Sequence, residues 1–336
     1  MPSDPNQGGQ CVDEFESISK LFAPLIDGAP EALGLTDDAA VIPARPGFDM
    51  VASKDAMVAG VHFLADDPLD LVARKLLRVN LSDLAAKGAD PYAYLLAAAW
   101  PAACGWRERE RFVAGLRQDQ DLFGLKLIGG DTNSTPGPLT LSVTILGWTP
   151  QGRTVLRSGA RPGDRVLVTG TIGDGWLGLM AARGELADLG ADQTAWLADR
   201  YRLPQPRVDL RHLLRDHASA AADVSDGLVA DAGHVATASA VAMRLDLDRL
   251  PLSAAAQGWL GRQSDRTAAL AALAVGGDDY EVVCTASAEA ADRLIAAALT
   301  IGIPMCDIGE VGAGQGVRAL VGGAEVLLER KGWRHG

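Results

Sequence analysis

Apolar runs with strand-like alternation and apolar runs with helical spacing follow one another through both halves of this chain, and a turn-rich stretch, Thr149-Pro150-Gln151-Gly152, lies between the halves. Such alternation predicts mixed α/β or α+β domains, and 336 residues suit two of them better than one. The expected organisation is a disordered leader over residues 1–12, an N-terminal domain over 13–150 and a C-terminal domain over 151–336.

In the first half, Phe15, Ile18, Phe22 and Leu25 fall at helical spacing. Ala39–Ile42 and Met50–Ser53 read as short strands. Pro68–Lys87 reads as a helix with an apolar stripe of Leu69, Val72, Leu76 and Val79. Tyr92–Trp100 reads as a buried strand and Arg107–Phe123 as a second amphipathic helix. Leu125–Ile128 is a strand running into Gly129-Gly130-Asp131, and Leu139–Trp148 alternates as a strand does. In the second half, strands are expected at Arg165–Thr169, Ala220–Val224, Val241–Leu247 and Tyr280–Thr285. Helices are expected from about Asp174, from Pro206, up to Ser239 and from about Glu289 to Leu299.

The formal net charge of −12, from 43 acidic and 31 basic residues, argues against nonspecific binding to nucleic acid or anionic lipid. The longest apolar run, Ala93–Cys104, contains Pro101 and is shorter than the ~20 residues of a membrane helix. The first ten residues lack a signal-peptide core. Cys11, Cys104, Cys284 and Cys306 are scattered without metal-ligand or disulfide-framework spacing. A cytoplasmic, reducing compartment fits that usage.

The chemistry points to the aspartates. Asp37-Asp38 precede a predicted strand, Asp55 follows one, and Asp131 follows another through two glycines. Asp223 and Asp226 flank a strand end, and Asp278-Asp279 precede a strand after two more glycines. Aspartate favours turns and helix caps for local reasons, so each motif alone reads equally well as turn chemistry. So many Gly/Ser-Asp units beside apolar strands read better as a small-molecule site. Asp83 continues the stripe of the Pro68–Lys87 helix by four residues, with Asn80 beside it. A carboxylate on an inward face is costly unless it is paired or metal-bound. The alternatives are a helix-end cap or an ion pair with Lys75 or Lys87. Oxygen ligands in such number suit several Mg²⁺ ions clamping a polyphosphate, as in phosphoryl transfer. There is no Walker A loop, no protein-kinase motif set and no nucleophile triad. Gly173-Asp174-Gly175 before a helix reads either as an anion site or as a tight turn.

Taken in order, Thr36-Asp-Asp-Ala-Ala-Val41, Ser53-Lys-Asp55, Gly60-Val-His-Phe63, Val79-Asn-Leu-Ser-Asp-Leu-Ala-Ala-Lys-Gly-Ala89, Gly129-Gly-Asp-Thr132, Arg157-Ser-Gly-Ala160, Asp223-Val-Ser-Asp-Gly-Leu228 and Gly276-Gly-Asp-Asp-Tyr-Glu281 resemble the thiamine-monophosphate kinase family. That family belongs to the aminoimidazole-ribonucleotide-synthetase-like ATP-binding superfamily. The resemblance spans nearly the whole chain and implies phosphorylation of thiamine monophosphate by ATP to give thiamine diphosphate and ADP. It implies Mg²⁺ ligation by Asp38, Ser53, Asp55, Asp83, Asp131, Asp223 and Asp226. It implies ATP contacts at Gly130, Asp131, Arg157 and Ser225, and substrate contacts at His62, Asp278 and Trp333. Asp131, Asp55 and Arg157 are the residues expected to carry the chemistry. The implied fold has an N-terminal sheet forming a barrel across a homodimer and a C-terminal α/β domain. Thr36 stands where the family has glycine, Lys54 where threonine is common, and Asp278 where it has glutamate. Asp37 and Asp279 receive no role.

Other superfamily activities make poorer matches. A selenophosphate synthetase needs a reactive cysteine beside a lysine near the N-terminus, which Gln10-Cys11-Val12-Asp13 does not supply. A hydrogenase-maturation relative ends in cysteine, whereas this chain ends Arg334-His335-Gly336. An aminoimidazole ribonucleotide synthetase is the alternative enzyme. A nucleotide- or metal-binding regulator without turnover is the alternative of a different class.

Overall fold

The structure is a computed structural model that describes residues 14–328 and Gly332. The expected leader and Trp333 lie outside the described residues. The chain divides into two units, the first holding residues through Asn80 together with Pro91–Trp148, the second holding Leu81–Asp90 together with the chain from Thr149 onward.

The first unit begins with a helical run in which α1 (Glu14–Ser17) passes into a π turn (Ile18–Phe22) and a 3-10 turn (Ala23–Ile26). Then come β1 (Phe48–Val58), α2 (Leu69–Ala86), β2 (Asp90–Pro101), α3 (Trp106–Phe123), β3 (Lys126–Thr135) and β4 (Thr140–Pro150). The four strands form one sheet in the order β1-β4-β2-β3, with β2 and β3 parallel. Helix α2 forms where its stripe predicts, and Val72, Leu76 and Val79 are buried along it. Its last six residues belong to the second unit, so this helix serves both.

Three expectations for the first unit need correction. Residues 39–42 form no strand; Val41 instead donates a single backbone hydrogen bond to the Glu31 carbonyl. The run is short and bounded by acidic residues and Pro43, so it finds no ladder. Asp55 does not follow a strand but lies within β1. Likewise β3 does not stop before the glycines; it runs through Gly129, Gly130 and Asp131 to Thr135. The pairing of Leu96 with Gly130 explains why. A Cβ on Gly130 would lie 1.9 Å from the Leu96 carbonyl oxygen. These glycines therefore permit close approach within a parallel ladder and do not end the strand.

The second unit contains β5 (Arg165–Thr169), α4 (Asp174–Ala182), α5 (Ala191–Arg202), α6 (Arg211–His217), β6 (Ala220–Val224), α7 (Leu228–Ser239) and β7 (Ala242–Asp246). It continues with α8 (Ala254–Leu260), α9 (Arg266–Val275), β8 (Glu281–Ala286), α10 (Ala288–Thr300), β9 (Met305–Gly312), β10 (Gly316–Val321) and β11 (Ala324–Glu325). The sheet order is β11-β10-β7-β9-β5-β8-β6, with β7 and β10 parallel and the other neighbours antiparallel. After Pro206 the chain makes a 3-10 turn (Val208–Leu210) before α6, so that helix starts later than expected.

Both faces of this sheet are covered. Val166, Val168, Val224 and Val283 pack on one side with Leu228 and Val235 of α7. Leu167, Ala221, Val282 and Cys284 pack on the other with Leu214 of α6 and Leu294 of α10. Burial on two faces is why β5, β6 and β8 read as continuous apolar runs and do not alternate. No helix among the described residues is long and apolar enough to cross a membrane.

Candidate functional site

In the first unit, Ser53 and Asp55 are two residues apart on β1 and both half-buried. A period of two places them on one face and Lys54 on the other. Lys54 Nζ donates to Ser142 Oγ (2.7 Å), whose hydroxyl donates to the Asp55 carbonyl (3.0 Å). Asn80 is fully buried and doubly engaged. Its side-chain amide donates to the Leu76 carbonyl (2.8 Å), and its Oδ1 accepts the Asp55 N–H (3.1 Å). Asn80 thus holds the backbone of Asp55. Asp38 is exposed and donates its N–H to Asp37 Oδ1 (2.8 Å). Asp131 projects from the exposed side of β3, where its Oδ2 accepts from Asn133 Nδ2 (2.5 Å). His62 accepts the Val58 N–H at Nδ1 (3.1 Å), so in the neutral ring the proton sits on Nε2.

In the second unit the structure gathers several residues of the predicted set. Lys87 donates from Nζ to the Ala221 carbonyl (2.8 Å), two residues before Asp223. Burial pushes its ammonium down to about 8, helped by Arg157 and opposed by Asp223 and Asp83. Asp83, Asp223 and Arg157 therefore lie close enough to Lys87 to act on its ammonium. Asp83 is half-buried and Asp223 buried, while Arg157 is exposed. Lys87 figured in the sequence only as a partner for Asp83.

Ser225 and Asp226 follow β6 on a loop that closes at Gly227, whose φ of +117° and whose Cβ position, 2.6 Å from the Val275 carbonyl, both require glycine. Asp231, one turn into α7, holds that loop. Its Oδ2 accepts the N–H groups of Ser225 (3.0 Å) and Asp226 (3.1 Å). Ligand atoms of Asp226, Asp231 and His234 lie within 4.8 Å of one another. Sequence reasoning missed Asp231 and His234, although their separation of three residues puts them on one helix face.

Burial and then the neighbouring Asp226 raise the Asp231 carboxyl from 3.8 to about 7, against the two amides and Arg157. Between those values the folded chain binds a proton that the unfolded chain has lost. Stability therefore falls as pH rises through that window and levels off above it. In chelator-treated protein, Asp231→Asn is expected to flatten the decline between pH 5 and pH 7, worth roughly 3 kcal/mol at most. Urea denaturation at pH 5 to 8 measures it, and an unchanged slope in the variant refutes the assignment.

The donors collected here are carboxylate and hydroxyl oxygens, the ligands that hard divalent cations prefer. The repulsion between Asp226 and Asp231 is also of the kind that a bound cation relieves. The residues present therefore fit Mg²⁺.

Asp278 lies on a turn after α9. Its N–H donates to the Ser225 carbonyl (2.9 Å), and the Tyr280 N–H donates to the Val224 carbonyl (2.7 Å). The turn carrying Asp278 is thereby laced to the loop carrying Ser225 and Asp226.

The chain matches the AIR synthase related protein N-terminal domain over residues 36–149 and the AIR synthase related protein C-terminal domain over residues 161–322. It is 55% identical to the thiamine-monophosphate kinase of Caulobacter vibrioides, over 96% of this chain and 91% of that protein. It is 39% identical to the thiamine-monophosphate kinase of Escherichia coli K12, over 96% and 98%. The crystal structure of thiamine-monophosphate kinase from Stenotrophomonas maltophilia K279a superposes with a TM-score of 0.82 at 38% identity, covering 94% of this chain and 98% of that one. The structure of AaThiL complexed with AMPPCP and TMP superposes with a TM-score of 0.77 at 29% identity, covering 97% and 99%. On this full-length likeness, the chain belongs to the thiamine-monophosphate kinase family of AIR synthase related proteins.

Proposed function

We infer that this chain transfers the γ-phosphoryl group of ATP directly to the phosphate of thiamine monophosphate, giving thiamine diphosphate and ADP. The observation that carries the reading is the gathering of Asp83, Asp223 and Arg157 about Lys87 in a chain related over its full length to thiamine-monophosphate kinases. In the transfer, a phosphate oxygen of thiamine monophosphate forms the new bond to phosphorus as the bond to the ADP oxygen breaks. That oxygen is already ionised near pH 7, so the site needs no strong general base, and the sequence offers no nucleophile triad. Positioning and charge neutralisation carry the rate instead.

Asp38, Ser53, Asp55, Asp83, Asp131, Asp223 and Asp226 are the residues that would hold Mg²⁺. Mg²⁺ held by them would supply charge neutralisation at the phosphates. Gly130, Asp131, Arg157 and Ser225 contact ATP, the exposed Arg157 offering a guanidinium to phosphate. His62, Asp278 and Trp333 contact thiamine monophosphate, with the His62 ring held by the Val58 N–H at Nδ1. The protein works in the cytoplasm as a homodimer. Support for the dimer comes from β1, an eleven-residue strand at the sheet edge with alternate residues exposed, the kind of edge that proteins cover.

Purified protein with ATP, Mg²⁺ and thiamine monophosphate is expected to form thiamine diphosphate and ADP one for one. In the same buffer it is expected to sediment at twice the chain mass of 35.1 kDa. Folded protein that makes no thiamine diphosphate at saturating Mg²⁺ refutes the activity, and a monomer refutes the dimer.

A further inference from the structure

Asp278 and Tyr280 have φ of +69° and +51°. Neither is glycine, and a side chain bearing a Cβ is strained in that conformation, so it persists only where its surroundings over-determine it. Between them sits Asp279, whose side chain is fully buried. Both of its carboxylate oxygens are committed to backbone amides at the start of α4. Oδ2 accepts the Gly173 N–H (2.8 Å) and Oδ1 the Gly175 N–H (2.9 Å). The helix end presses on the same turn, because a Cβ on Gly175 would lie 2.2 Å from the Asp278 carbonyl. Opposite, the N–H groups of Asp278 and Tyr280 are bound to the Ser225 and Val224 carbonyls. A Cβ on Gly277 would lie 2.6 Å from that same Ser225 oxygen. The turn is thus fixed from two sides, and Asp279 is its attachment to α4.

The two carboxylates on this side of the fold divide the labour. Asp231 binds the amides of Ser225 and Asp226 and so clamps the metal-side loop from α7. Asp279 makes no such bond to that loop and acts on the turn that carries Asp278. Loosening Asp279 therefore frees the α4 side of the turn that carries Asp278, while the Ser225–Asp226 loop keeps its Asp231 clamp.

We propose that Asp279 is a positioning residue for the phosphate acceptor: by tying the Gly276–Tyr280 turn to the first turn of α4 it holds Asp278 in the left-handed conformation that meets thiamine monophosphate. This rests on the reading of Asp278 as a substrate contact.

Asp279→Asn has the shape of the native side chain but presents an NH₂ group to one of two inward-pointing N–H donors. It is expected to raise KM for thiamine monophosphate roughly tenfold, with KM for ATP changed less than about twofold. A residue that merely caps α4 would not divide the two substrates in this way. Asp278→Ala is expected to raise the same KM, and adding Asp279→Asn to it is expected to change KM no further, because the positioned group is gone. If the two effects multiply in the double variant, or if Asp279→Asn moves both KM values together, the proposal is overturned. If Asp278→Ala leaves KM for thiamine monophosphate untouched, Asp278 is not the contact, and the proposal falls with that reading. Where Asp279→Asn does not fold, Asp279→Ser keeps one acceptor in place without a buried charge. It enters the same double-variant cycle, and the same results support or overturn the proposal.

Discussion

Asp131→Asn is expected to lower turnover by roughly 10³-fold while leaving the melting temperature nearly unchanged. The two halves of that expectation have separate physical origins. Asp131 lies on β3 with its side chain exposed, touching Asn133 Nδ2 through Oδ2. Asparagine is isosteric, adopts the same extended backbone and still offers an oxygen at that position. No core volume is lost, and surface changes of this kind usually alter stability by less than about 0.5 kcal/mol. The substitution removes a full negative charge from the proposed Mg²⁺-ligand and ATP-contact set. A group that stabilises charge at the reacting phosphates is worth roughly 3–4 kcal/mol of barrier. The signature should include a raised Mg²⁺ requirement, because a neutral ligand binds a hard cation less well. Turnover, its Mg²⁺ dependence and a thermal melt on one preparation decide the matter. Turnover equal to that of the parent at low Mg²⁺ would show that Asp131 is only a strand residue.

The sequence made α2, α3, α7, α10 and the buried strands legible because each is written in local periodicity, whereas α5, α8 and α9 were not anticipated. The α2 stripe is an example, and so are the two-faced apolar runs of β5, β6 and β8. Strand extents were harder to read where glycine and aspartate look like terminators. Gly130 and Asp131 remain in β3 because Leu96 of β2 comes close enough to exclude a side chain, a fact about a partner more than thirty residues away. The candidate site could be proposed from the sequence as a set of residue types, but its supports could not. Asp231 reads as an ordinary helix residue until its carboxylate is seen on the Ser225 and Asp226 amides. Asp279 has no evident purpose until the amides of Gly173 and Gly175 are set against it, 106 and 104 residues away in the chain. Lys87 belongs to the same class, since what brings it among Asp83, Asp223 and Arg157 is the packing of the second unit. Such placements arise from long-range pairing, to which local pattern is blind.

Glu281→Gln is the substitution expected to cost the most stability. Glu281 opens β8 and is completely buried. Its carboxylate accepts the Thr169 hydroxyl (2.6 Å), lies in the fork of Arg207 with Nε at 2.6 Å, and receives Arg200 Nη2 at 3.3 Å. Space around it is closed too, for a Cβ on Gly170 would lie 2.1 Å from Oε1. Glutamine fills the volume but sets an NH₂ group against guanidinium donors and withdraws the charge paired with two largely buried cations. Arg200 is the more exposed to this loss, since its Nη1 is already buried without a hydrogen-bond partner among the described residues. Removing one member of a buried ion pair costs about 3–5 kcal/mol, most of it the desolvation of the abandoned charge. For a unit of this size that is roughly a 10 °C fall in the melting temperature of the second unit, read by calorimetry. The cost should lie in the unpaired charge and not in the lost bond itself. Adding Arg207→Met to Glu281→Met should therefore recover part of the stability that Glu281→Met alone loses, since an apolar pair of similar volume leaves less charge stranded. If Glu281→Gln melts with the parent protein, the cluster is hydrated and contributes no more than a surface ion pair does. If the methionine pair is worse than the single substitution, the arginine is required by its packing and its charge is incidental.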